Sequence, residues 1–480
     1  ISPHGACARS PPRGQSLSSF RRPDTDSPHG VAMSPTIETR PASSGPAPDS
    51  YAVAVMRSSV ARLRRMEPLC KWFSCAGMLF FLVMVTITAL DVALRYFFSR
   101  PLSGTIELTE FFMVIVFFSS VAYTQWTGGH IFMDVITAKL SRRRQRQLKL
   151  ITDIWSFVMI AYCIAAMLIY AHTSDLYSPV LGIPLTPFIY FAALGCALLF
   201  LTLLHDVLAS MLAVLEDGGM AVLLATLALA MAGLFAAGWF MHHRIPGMSA
   251  VALGIWGIAF MFFLFFMGMP VAYALMAASF VFLANMRSPA AAWNMLGSFW
   301  YGTVSSYDWS PLMFFLLMGY VCFQGQFGQD LYRAARSWMG HWRGGLATGS
   351  VCACTAFGAV VGDSLAGSVA MSAIALPEMR QSGYRDELSV GCLACAGTIG
   401  SLIPPSTTLI LYGVLAEQSI GELFIAGVVP GLLSMLCFIL IIWIWTRVNP
   451  AVGPASPRVP RAEALASLKS ALPIMVIFIT

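Results

Sequence analysis

Asp363 sits where a charge is costly. From Gly344 to Leu376 every other residue is apolar or small, with Gly362-Asp363-Ser364 near the middle. An acid at membrane depth costs about 2.5–3.5 kcal/mol to insert and is functional by default. Two chemistries suit it: coupling to a cation or proton, or capping a helix that begins at Ser364. A second constellation follows, Gly397-Thr398-Ile399-Gly400 and then Pro404-Pro405-Ser406. Two consecutive prolines remove two backbone donors and disfavour helix before them, so a helix must break here. Carbonyls freed by such a break coordinate cations, and half-helix N-termini attract anions. The candidate ion-binding residues are therefore Gly358, Gly362, Asp363, Ser364, Gly397, Thr398 and Gly400. The candidate substrate-binding residues are Ser368, Pro404, Pro405 and Ser406. The hydroxyls have a plainer alternative, bonding back to helix carbonyls or packing helices closely. The glycines equally serve close backbone approach.

Other polar residues have structural readings. Asp91 and Arg95 lie one helical turn apart and suit a mutual ion pair. Glu107 and Glu110 open an apolar run, where acids favour the helix dipole; a contact between two parts of the chain is the alternative. His205 and Asp206 read as interfacial, and Arg380 and Arg385 as topological flank charges. Cys352-Ala353-Cys354 and Cys392-Leu393-Ala394-Cys395 have metal-like spacing but lie in apolar sequence without complementary ligands. No transition-metal site is expected. An intramembrane enzyme would need an apposed set such as His-Glu-x-x-His or paired aspartates. Neither occurs in the sequence, so no enzyme is expected, and a structural membrane subunit is the other rival.

The elements that position these residues follow from composition. Of 480 residues, 58% are hydrophobic and 11% charged, against roughly 25% charged in soluble domains. So few charges cannot cover a water-facing surface, and an all-α polytopic membrane protein in contact with lipid is expected. The net charge of +6 reads as topology rather than nucleic-acid affinity. A span needs about 20 apolar residues. Candidates are Trp72–Phe98, Leu108–Trp126, Ile151–Tyr170, Pro187–Leu204 and Met220–Phe240. Two more lie within Ile245–Met286, divided at Gly268-Met269-Pro270, and another runs from Ser310 to Phe323. Counting crossings puts Arg57, Arg62, Arg64 and Arg65 on the same side as Arg142 to Lys149 and as Arg333, Arg336 and Arg343. By the positive-inside rule that side is cytoplasmic, and so is the N-terminus. Residues 1–56 form a basic Pro/Ser-rich tail expected to be disordered. The chain does not open with Met, and Met33, Met56 and Met66 are candidate starts.

The hairpin 344–376 is flanked by basic residues at both ends, and its second arm, Leu365–Leu376, would rise only about 18 Å as a helix. It therefore reads as re-entrant from the cytoplasm. The segment 388–416 reads as a broken membrane helix, Leu423–Trp445 returns the chain, and a last span starts at Leu472. Irregular backbone at membrane depth survives only when buried in protein or lining a polar cavity. Two adjacent breaks are what a carrier's midplane site requires.

At these residues the sequence resembles the tripartite ATP-independent periplasmic (TRAP) transporter family, in the form that fuses small and large membrane subunits. The likeness rests on Met267-Gly268-Met269-Pro270, Phe357-Gly358-Ala359-Val360 leading into Gly362-Asp363-Ser364, and Ala375-Leu376-Pro377-Glu378-Met379. It continues through Ser382-Gly383-Tyr384, Gly397 to Gly400, Leu402 to Ser406, and Glu417-Gln418-Ser419-Ile420. Arg95-Tyr96-Phe97 and Gly129-His130-Ile131 carry the small-subunit likeness. The resemblance implies a four-helix small-subunit part at 66–212, a linker with one helix at 213–246, and at 247–480 the first part of an inverted-repeat, elevator-type large subunit. It implies Na⁺ as coupling ion, no organic cofactor, and a periplasmic solute-binding protein as partner. The substrate would be a small organic acid such as a dicarboxylate or sugar acid, imported across a bacterial inner membrane by a multi-pass permease. The chain departs from the family in Asp363, where small hydroxyl residues are usual, and is expected to break off before the second hairpin and so not to transport alone.

Overall fold

The computed structural model describes residues 50–243 and 249–479. Its helices are α1 (Ser50–Arg64), α2 (Glu67–Phe98), α3 (Thr105–Trp126), α4 (Arg142–Thr173), α5 (Thr186–His242), α6 (Ala250–Phe266), α7 (Val271–Met286) and α8 (Pro289–Val304). After a short 3-10 turn, Tyr307–Trp309, come α9 (Ser310–Gln324), α10 (Phe327–Met339), α11 (Gly345–Val361), α12 (Ser364–Gln381), α13 (Asp386–Ile399), α14 (Thr407–Leu415), α15 (Ile420–Val448) and α16 (Arg461–Ile479). No strand occurs among the described residues, so the protein is all-α.

Five helical stretches are long and apolar enough to cross a membrane: Val53–Phe98, Thr105–Trp126, Arg142–Thr173, Thr186–His242 and Ile420–Val448. The pair α9–α10, bent by 64°, makes a sixth if it is one broken span. α6, α7 and α11 are shorter apolar helices. A multi-span membrane protein follows from these lengths, because only helices satisfy their own backbone bonds in lipid.

Several expectations need correction. Residues 50–56 of the expected disordered tail belong to α1, which Arg57 ties to Glu216 of α5 at 2.8 Å; residues 1–49 lie outside the described residues. The spans expected at 187–204 and 220–240 lie on the two parts of α5, which kinks at Gly219 (φ 73°, ψ 179°, outside the helical range), but the first part runs on past Leu204 to that kink. Hydropathy sees the charges at Glu216 and Asp217 but not that helix persists through them. The second hairpin arm does not stop at Leu376. α12 continues through Pro377 to Gln381 and rises about 27 Å. Ala373, whose carbonyl loses its helical donor to the proline, is on an exposed side. Gly397 to Ile399 form the last turn of α13, so the break is narrower than expected. α16 begins at Arg461, before the expected Leu472. α8 and the amphipathic α10 correspond to no expected span.

Buried apolar side chains fall into two groups. One set of clusters spans α2 to α8, with Met159, Leu199, Tyr273 and Leu296 packed together and Phe118, Met167 and Tyr301 beside them. The other lies on α9 to α15, around Tyr332, Phe357, Met371 and Ile399. The outer turns of the first group are pinned by buried acids. Glu107 accepts the amides of Val180 (2.6 Å) and Leu181 (2.8 Å), a role beyond the helix dipole expected for it. Asp91 accepts the Leu102 amide at 2.7 Å and pairs with Arg95, as the spacing predicts.

Candidate functional site

α11 ends because Gly362 turns left-handed, φ 70°, and returns its amide to the Gly358 carbonyl at 2.7 Å. Glycine adopts that conformation without steric cost. Asp363 is extended, and its Oδ1 accepts the Leu365 amide at 3.1 Å, capping α12. The capping alternative is thus realised, and among the described residues Asp363 makes no ion pair. Only one of its carboxylate oxygens is used.

α13 stops at Ile399, and the Pro404-Pro405 bond is cis. The carbonyls of Gly400 and Ser401 would find their helical donors at positions 404 and 405, both proline. The Ser406 hydroxyl supplies one substitute, donating to the Ser401 carbonyl at 2.7 Å, and accepts the Leu409 amide at 3.2 Å to cap α14. Ser406 is fully buried. No donor among the described residues reaches the carbonyls of Gly400, Pro404 or Pro405.

The two breaks meet. The Gly362 carbonyl accepts both the amide (3.0 Å) and the hydroxyl (2.9 Å) of Thr407, the first residue of α14. A Cβ on Gly362 would stand 2.5 Å from the Pro405 carbonyl oxygen. Gly358 and Gly400 pack backbone to backbone, a Cβ on either coming within 3.0 Å of the other's Cα. Gly397 leaves no room for a Cβ against the Ser368 hydroxyl.

The structure therefore gathers Gly358, Gly362, Asp363, Gly397, Gly400, Ser368, Pro405 and Ser406 around one junction, but reassigns several of them. Both lone pairs of the Gly362 carbonyl are taken by Thr407, so it is not free for a cation. The Thr398 carbonyl receives both the amide and the hydroxyl of Ser401. The Thr398 hydroxyl donates to Cys395 at 2.6 Å, and that of Ser368 to the Ser364 carbonyl at 2.7 Å. What remains for a ligand is the second Asp363 oxygen and the carbonyls freed by the prolines, a set of oxygen donors that suits a hard cation. Sequence reasoning missed Thr407. Its position after the Ser406 cap was visible, but its partner lies 45 residues away. Thr407→Val should keep the amide bond and lose the hydroxyl bond, lowering stability by about 0.5–1 kcal/mol. An unchanged melting temperature in detergent would refute that contribution.

At the bases of α12 and α13, Arg380 donates to Asp386 at 2.8 Å and 3.2 Å. The guanidinium hydrogen bond holds the Asp386 carboxyl below its usual range. Arg380 is therefore paired rather than offered to a substrate.

Two half-helices ending at a shared polar junction, inside an all-helical multi-span chain, are the marks of a secondary-carrier permease. Comparison with known families gives the same class. Residues 258–480 match the model of the tripartite ATP-independent periplasmic transporter DctM component, and residues 84–213 that of the DctQ component. Together these cover well over half of the chain, which belongs to the TRAP transporter permeases and carries both components in one polypeptide. It is 43% identical to the C4-dicarboxylate TRAP transporter large permease protein DctM of Pseudomonas aeruginosa, over 35% of this chain and 39% of the relative. Identity to the sialic acid TRAP transporter permease protein SiaT of Haemophilus influenzae is 32%, over 49% of this chain and 38% of the relative. Identity to the ectoine/5-hydroxyectoine permease UehC of Ruegeria pomeroyi is 34%, over 44% and 49%. The chain spans less than half the length of these relatives.

Proposed function

We propose that this chain is the membrane permease part of a Na⁺-coupled secondary transporter that imports an organic acid delivered by a periplasmic solute-binding protein. The carrying observation is the junction of the two breaks, where an incompletely used carboxylate and donor-free carbonyls lie on helix ends joined through Gly362 and Thr407. Oxygen donors of this kind suit Na⁺, and the N-termini of α12 and α14 at the same junction suit a carboxylate. Asp363, Gly400, Pro404 and Pro405 would serve the ion; Ser364, Ser368 and Ser406 would border the substrate. The inward side is the one that carries the arginines before α2 and at the start of α4, which puts the N-terminus in the cytoplasm of a cell with an inner membrane. The membrane potential would add about 2.3 kcal/mol per charge per 100 mV.

The test is uptake by the permease, completed to the length of its relatives, in vesicles supplied with its solute-binding protein. Labelled C4-dicarboxylate, sialic acid and ectoine are offered in turn, with a Na⁺ or a K⁺ gradient. Saturable uptake of one of them with the Na⁺ gradient alone is expected. Equal uptake with either gradient would remove the Na⁺ coupling, and uptake without the binding protein would remove that partner.

A further inference from the structure

Asp363 brings the junction a charge that no side chain nearby along the hairpin balances. Five other charged residues fall between Gly344 and Ala416. Glu378 pairs with Arg336 of α10, and Arg380 with Asp386. Glu378, Arg380, Arg385, Asp386 and Glu387 all stand about 18 Å or more along α12 and α13 from the tips of those helices. Asp363 itself is partly exposed, and Leu365, two residues on, is 72% exposed, so the carboxylate can be reached. A carboxylate offers about four lone-pair positions, and the cap on the Leu365 amide uses one of them. The donor-free carbonyls of Gly400, Pro404 and Pro405 add three oxygens. Hard cations take about six to eight oxygens, so this set furnishes one cation and not several.

A carrier takes its loaded site through a low-dielectric layer, where unmatched charge is costly. The negative charge of Asp363 and the positive charge of one Na⁺ cancel. A solute that keeps the loaded site neutral then has no net charge of its own. A dicarboxylate would leave two negative charges unmatched, and a sugar acid with one carboxylate would leave one. On the Na⁺-coupled carrier reading above, we propose that the transported organic acid is a zwitterion. Its ammonium or amidinium group pairs with the free side of Asp363, and its carboxylate faces the starts of α12 and α14. The lone pairs left on Asp363 after the cap are enough for Na⁺ and an N–H donor together. A charge-assisted bond of this kind is about twice as strong as a neutral one, so Asp363 sets which acids are accepted.

The experiment offers the completed permease, in vesicles with its binding protein, labelled acids in matched pairs. The pairs are 4-aminobutyrate with butyrate, β-alanine with propionate, and L-proline with cyclopentanecarboxylate; a C4-dicarboxylate and sialic acid stand for the purely anionic acids. Saturable Na⁺-driven uptake of a zwitterion is expected, at least about tenfold faster than that of its partner without nitrogen. Binding to the permease alone is then read as the rise in detergent melting temperature with Na⁺ and solute. The unaltered protein should reach half of the rise at a zwitterion concentration at least about tenfold below that of the partner acid. In Asp363→Asn the two concentrations should fall within about twofold of each other. This preference is a ratio, so weaker Na⁺ binding, which affects both acids alike, does not change it. Gly391→Ala, with nothing within 4 Å of its Cβ, should keep the full preference. Na⁺-driven uptake of a purely anionic acid ahead of every zwitterion would overturn the substrate class and leave the carrier reading standing. Absence of Na⁺-driven uptake for every acid would overturn the carrier reading itself. An Asp363→Asn protein that keeps the full preference would overturn the pairing with Asp363.

Discussion

Asp363→Asn is expected to reduce Na⁺-dependent uptake to background in the completed permease while leaving the fold intact. Asparagine caps a helix about as well as aspartate, so the bond to the Leu365 amide survives and stability should change by less than about 0.5 kcal/mol. What disappears is the negative charge. Asp363→Ala provides the contrast, because it removes the cap as well and should cost about 1 kcal/mol. The two variants together separate the functional reading from the structural one. Uptake of the Asn variant with undiminished Na⁺ dependence would show that Asp363 is only a cap. Loss of uptake in both variants with equal loss of melting temperature would show the same. The substitution is informative because of where the charge stands: Asp363 is partly exposed at the helix tip and has no ion-pair partner among the described residues.

The largest effect on stability is expected at the neighbouring residue. Gly362→Val places a β-branched residue at φ 70°, which costs about 1–2 kcal/mol for a residue with a Cβ. Its Cβ must also occupy a position 2.5 Å from the Pro405 carbonyl, and overpacking of this kind adds about 1–3 kcal/mol. Relief requires pulling the tip of α11 off α14, which breaks both bonds from Thr407. A loss of about 2–5 kcal/mol follows, read as a large fall in detergent melting temperature and as hydrogen exchange appearing at the Thr407 amide. Gly391→Ala is the control. Nothing lies within 4 Å of a Cβ there, and alanine is the better helix former by about 1 kcal/mol. A melting temperature for Gly362→Val equal to that of the control would mean that the two breaks do not touch in the molecule.

Much of this protein was legible in the order of its residues. Hydropathy and charge located α2, α3 and α15 to within about five residues and the far end of α4 to within three, because a span in lipid must be apolar over a set length and its ends must be polar. The basic first turns of α4, from Arg142, lay outside the apolar run. Gly268-Met269-Pro270, Gly362 and Pro404-Pro405 marked helix ends, because the loss of a donor or the need for a left-handed residue acts on the chain locally. The same local rule overreached at Pro377, which α12 passes. A helix held by neighbours on both sides runs past a single weak residue, and propensity gives way to packing.

The partners were decided elsewhere. Gly362 and Thr407 are 45 positions apart, and Tyr273 and Gln125 are 148 apart. No local pattern records which carbonyl receives which hydroxyl at such separations; that follows from how the helices cross. The amino-acid sequence alone determined that this chain lies in a membrane, where its helices run and where two of them break. Tertiary structure decided that the breaks close on one another, that the Gly362 carbonyl is spent on Thr407 and not left for an ion, and that α6–α8 pack with the helices before them. The reason is common to all three: a buried polar group must find a donor or acceptor wherever the fold brings one.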